Sequence, residues 1–142
     1  MKRIILFSFF LILLGCLANC VNRVTNGIEV SELLLLTSRE QGIDYCKMLN
    51  KAINGDADSI RQFALLEFGD AAGYDHGSVI VKMIKLVGED SFIQSLSTIN
   101  DEQKRLIKGY IDAGLEYGTG QPFEVKTIND VFPKLGVFLT TD

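Results

Sequence analysis

One histidine in 142 residues and no Cys-x-x-Cys leave few ways to assemble a zinc site of the usual spacing, and none is expected. No excess of positive charge is present either. Fourteen Lys and Arg stand against eighteen Asp and Glu, a net charge of -4, which argues against nucleic acid, whose binders carry basic patches. The glycines form neither a phosphate-binding loop nor a dinucleotide fingerprint, so no cofactor is expected. No serine sits in a Gly-x-Ser-x-Gly elbow, and the acidic residues lack the spacing of an EF-hand loop. The longest apolar run, Ile4 to Leu14, falls well short of the roughly twenty residues a membrane helix needs.

What is present begins with that run. Lys2 and Arg3 precede it, Ser8 alone interrupts it, and Gly15, Cys16, Asn19 and Cys20 follow, the layout of an export signal. Leu13-Leu14-Gly15-Cys16 resembles the lipobox of bacterial lipoproteins. The resemblance covers the signal segment only. It implies cleavage before Cys16, a lipid on that cysteine and a place in the cell envelope, on the outer membrane where there are two, since Leu17 is not the Asp that retains lipoproteins at an inner one. Cleavage after Ala18, releasing a secreted protein, is the second choice. The expected organisation is a signal peptide over 1–15, a tether over 16–29 and one helical domain over 30–142. Losing Lys2 and Arg3 takes the net charge from -4 to -6, so no polybasic stretch assists the lipid. With Cys16 lipidated, Cys20 and Cys46 are free to pair in an oxidising compartment; the alternative is a small buried core residue at Cys46.

The remainder reads as all-α: a bundle or short stack of hairpins of about five helices, with an irregular C-terminal tail packed back on it. Ser31 is expected to cap a first short helix through the leucines 33–36, and Ser38 with Gln41 has the form of a capping box opening a second. That helix ends at Asn54-Gly55, and Asp56 or Asp58 caps the next, whose stripe is Ile60, Phe63, Ala64 and Phe68, with Gly69 closing it. Ser78 or Asp75 caps a very apolar helix from Val79 to Val87, expected at the centre. Asp90 opens a shorter one, and Asn100 with Gln103 opens the last long helix through Leu106, Ile107, Tyr110, Ile111, Gly114 and Tyr117. The strings Gly55-Asp56-Ala57-Asp58-Ser59 and Gly88-Glu89-Asp90-Ser91 are faintly alike, as a repeat would make them.

Between these helices, Asp70 to Gly77 reads as a loop and is the candidate functional segment: Asp70, Tyr74, Asp75 and His76. Histidine moves protons near neutral pH and a nearby carboxylate orients it. Set against that, Asp75 as a cap and Tyr74 and His76 as seals against the core explain the same residues structurally. Asp56, Asp58, Asp70 and Asp75 gathered at one end would offer oxygen ligands to calcium. No catalytic set is assigned. The leading reading is a non-enzymatic envelope lipoprotein that binds another envelope protein as an accessory, inhibitor or immunity factor. The alternative is a small-ligand protein or hydrolase using the Asp70 to His76 segment.

Overall fold

A computed structural model describes residues 24–118 and 126–140. It opens with a two-residue hairpin, β1 (Val24–Thr25) antiparallel to β2 (Ile28–Glu29), turned by Asn26 and Gly27, both at positive φ as a tight hairpin turn requires. Eight helices follow among the described residues: α1 (Glu32–Glu40), α2 (Tyr45–Ile53), α3 (Ala57–Ala64), α4 (Asp70–Val87), α5 (Glu89–Ser95), α6 (Asp101–Tyr117), α7 (Ile128–Val131) and α8 (Pro133–Thr140). The fold is all-α, as its patterning predicts, with the short hairpin as its one extended element among the described residues.

The tether expected to reach Glu29 stops short of it. The hairpin occupies 24–29, and Ile28 and Val30 are buried in the core, so this stretch packs as part of the domain. Alternation explains it: Thr25 and Ile28 pair on the inner face while Val24 and Glu29 face outward.

Helix starts follow the side-chain caps where these are real. Ser31 accepts from the Leu34 amide, Asp56 from Ser59, and Asn100 with Gln103 forms the reciprocal box at the head of α6. Ser38 is different. It lies inside α1, its hydroxyl donates to the Leu34 carbonyl, and the helix ends beyond it in a Schellman motif. Gly42, at φ +73, donates to the Arg39 carbonyl and Ile43 to that of Ser38. The next helix starts only at Asp44, which caps the Lys47 amide. The leucine run and a glycine able to take the left-handed turn carry α1 past the apparent box.

A second difference concerns Asp70 to Gly77. These residues are not a loop but the first two turns of α4, an 18-residue helix with Gly69 as its N-cap. Neither Ser78 nor Asp75 caps it, and α3 ends at Ala64, leaving Phe68 in the connection. Gly73 and Gly77 suggest a turn in sequence, but here they answer to packing. A Cβ on Gly77 would overlap the Tyr110 carbonyl, and one on Gly114 would overlap the backbone of Gly77. Helices α4 and α6 therefore cross with their backbones in contact, and α4 is central, touching α1, α2, α5 and β2 as well.

The C-terminal segment is more regular than an apolar stretch without period suggests. At the head of α7 the Asp130 carboxylate accepts from both the amide and the hydroxyl of Thr127, and Pro133 opens α8, where a missing N–H costs nothing. The Glu89 carboxylate of α5 accepts from the Leu135 amide at 2.7 Å, and Lys134 reaches Asp90. Leu135 and Leu139 complete a single buried apolar cluster with Val30, Leu34, Leu49, Ile80, Met83, Phe92 and Ile111.

Candidate functional site

The four singled-out residues share one helix and point to three different places. His76 is at the centre of the molecule with no exposed surface, enclosed by the rings of Tyr45, Phe63, Phe68 and Tyr110, whose centroids lie 4.9 to 5.7 Å from its own. Its Nδ1 lies 2.7 Å from the Tyr45 hydroxyl, a hydrogen bond whose direction follows the tautomer of the neutral ring. Among the described residues Nε2 has no hydrogen-bond partner of normal geometry. Burial drives the His76 pKa down to about 3, offset in part by the Phe63 carbonyl. Tyr45 is pushed well above the phenol range, chiefly by burial and then by the charge of Asp75. Both groups are thus neutral across the physiological range.

Asp75 lies one residue before His76 but faces α1, where Ser31 donates to its carboxylate. Ser31 thereby caps α1 with one contact and ties it to α4 with the other. The histidine and its neighbouring carboxylate do not form a pair, because adjacent residues on a helix diverge.

Tyr74 does not seal against the core. It is 51% exposed, and its ring lies 5.1 Å from that of Tyr117, itself 62% exposed at the end of α6. A hydrogen bond to the adjacent Glu116 raises the Tyr117 pKa and keeps the phenol protonated. Asp70, the first residue of α4, has φ +47, a left-handed conformation that aspartate tolerates better than most side chains, and it is exposed. Beside Tyr74 runs a groove of about 410 Å³ between α4 and α6, with Asp70, Arg105, Leu106, Gly109 and Ala113 along it.

Tyr45 and Tyr110 read in sequence as members of apolar helix faces; the hydrogen bonds they make there are not legible in it. Tyr110 clamps the α3–α4 connection, accepting from the Phe68 amide at 2.8 Å and donating to its carbonyl at 3.2 Å. Burial raises its pKa. Each lies on the apolar stripe of its helix, so the spacing marks it as buried, but the partner comes from a distant helix. Among the described serines, the Ser31 hydroxyl donates to Asp75, that of Ser59 to Asp56, that of Ser78 to the Tyr74 carbonyl and that of Ser95 to the Ser91 carbonyl.

Asp56 caps α3, Asp58 pairs with Arg61 and Asp75 binds Ser31, so these aspartates are engaged separately. Among the described residues no three His, Cys, Asp or Glu side chains converge as metal ligands, and no helix is long and apolar enough to cross a membrane. Cys46, half-buried in the first turn of α2, is disulfide-bonded. Cys16 and Cys20 lie outside the described residues, as does the whole signal segment. Comparison of the chain with protein-family models, curated proteins and solved structures finds no match.

Proposed function

We propose that this chain is an exported, lipid-anchored envelope protein whose helical domain binds another protein in an accessory, inhibitor or immunity-type role. The observation that carries the reading is the exposed Tyr74–Tyr117 pair beside an open groove. Two exposed tyrosines in tilted ring contact give large, amphipathic contact area at small entropic cost, the composition favoured at protein interfaces. Attachment through Cys16 rests on the lipobox resemblance, and the Cys46 disulfide is compatible with it: a lipid on Cys16 leaves Cys20 to pair with Cys46.

A hydrolase or ligand-binding role for Asp70 to His76 finds less support. Its one proton carrier has no exposed surface and its carboxylate is bonded to another helix. The test is crosslinking of the native, membrane-attached protein, with mass spectrometry of what is captured and of the protein's own N-terminus. One protein recovered in near-equal amount, together with a lipid-modified Cys16, is the expected result. Recovery of abundant neighbours alone, or an unmodified N-terminus beginning after Ala18, would overturn the binding or the anchoring half respectively.

A further inference from the structure

Four glycines lie inside α4 and α6, and three have a steric reason to be there. Added Cβ atoms on Gly73, Gly77 and Gly114 would strike backbone, whereas one on Gly109 would meet nothing within 4 Å. Gly109 is exposed in the middle of α6, where glycine is the least favourable residue short of proline. No described residue packs over it. It lies along the groove between α4 and α6, beside Leu106, Ala113 and the wall made by Tyr74.

The charges of this groove are also unused. Arg105 of α6 and Asp70 of α4 both line it, and among the described residues neither makes an ion pair or side-chain hydrogen bond, whereas Lys108, Arg61 and Lys134 are paired. An exposed guanidinium and an exposed carboxylate flanking an apolar concavity form a charge pattern that fixes the orientation of a charged partner. The volume, about 410 Å³, suits one large side chain with its flanking main chain, the anchor-in-pocket arrangement that dominates protein interfaces.

We infer that this groove receives a segment of the partner protein presenting one large apolar side chain between an acidic and a basic residue. The apolar side chain fills the space over Gly109, the acid faces Arg105 and the base faces Asp70, with Tyr74 and Tyr117 forming the rim. The inference rests on the protein-binding reading above and assigns it a place and a partner chemistry.

The experiment uses the full, membrane-attached chain with a photo-reactive phenylalanine analogue at Tyr117, in four backgrounds: otherwise unchanged, Gly109→Leu, Arg105→Glu and, as a control at the far end of α4, Leu86→Ser. Melting curves confirm folding; Gly109→Leu fills open space on a helix and is expected to melt no lower than the parent. Capture of one partner, reduced roughly tenfold or more by each groove variant and unchanged by Leu86→Ser, is the expected result. The crosslinked segment should carry the acid, apolar, base pattern, and replacing its acidic residue with Lys should restore capture by Arg105→Glu. Equal capture by the groove variants, or a crosslink only to a second copy of this chain, would overturn the inference. So would a partner captured by general crosslinking but never from Tyr117, and in that case the protein-binding reading stands. No partner by either route would remove both.

Discussion

Protonating His76 inside its aromatic shell would place a charge where four rings exclude water. The native ring resists this down to about pH 3, while the unfolded chain takes up the proton near pH 6.5. The sign follows directly. Between those values the unfolded state binds more protons, so this contribution to stability is whole above pH 6.5 and shrinks as pH falls towards 3, by about 1.4 kcal/mol per unit and about 5 kcal/mol in all. Urea unfolding between pH 7 and pH 4 should show a falling midpoint, and His76→Gln, which has no such proton to bind, should flatten that slope even as it lowers stability at pH 7. An unchanged slope would mean that His76 is not shielded. Tyr45→Phe removes the ring's hydrogen bond and should cost about 1–3 kcal/mol, the penalty for leaving a buried polar atom unpaired. Position in sequence marked His76 as the residue to explain, and the expected seal against the core is what it provides. Its sequence neighbours gave no sign of the shell, because Tyr45, Phe63 and Tyr110 come from other helices.

Glycine has opposite meanings at the two ends of the α4–α6 contact, and stability separates them. Gly77→Ala or Gly114→Ala forces a Cβ into the facing backbone and should cost about 3 kcal/mol or more, since neither helix can yield without parting from the core. Gly109→Ala, in open space, should instead stabilise by about 0.5–1 kcal/mol, the ordinary gain from replacing glycine in a helix. Chemical denaturation of the three variants decides it. The same ambiguity explains why helix α4 was legible only from Val79 onward: the glycines at 73 and 77 resemble a turn until Tyr110 and Gly114 are brought against them. Ser38 failed for the converse reason, since a hydroxyl that can cap can equally bond back to Leu34. Caps with no competing bond, at Asp56 and Asn100, were read correctly. The cap on α8 was beyond reach, because its acceptor, Glu89, lies 46 residues away. Glu89→Ala should loosen α8, speeding amide exchange across 133–140, while Glu89→Gln, which keeps an acceptor oxygen, should preserve most of the protection.

Across the whole molecule the all-α class and the central place of the apolar helix were legible because burial imposes its period on sequence. The groove was not, since it is made by what two helices omit. In the proposed reading the cysteines link domain to envelope, and that proposal is testable as a set. Strand β1 touches α2, the helix that carries Cys46. Cys20 is four residues upstream of Val24, about 13 Å of extended chain, and Cys16 about 26 Å, so chain length permits either as the disulfide partner. Lipidation separates the two, because a thioether-linked Cys16 has no thiol left to oxidise. In the native envelope, Cys16→Ser should therefore abolish lipid labelling yet leave Cys46 oxidised, and Cys20→Ser should retain the lipid and expose one free thiol at Cys46 to alkylation. The opposite pattern, with Cys46 freed by Cys16→Ser, would place the disulfide on the lipobox cysteine and remove the lipid anchor from the account. Loss of the Cys46 bridge should also lower stability by about 2–4 kcal/mol, because the loop it closes constrains the unfolded chain.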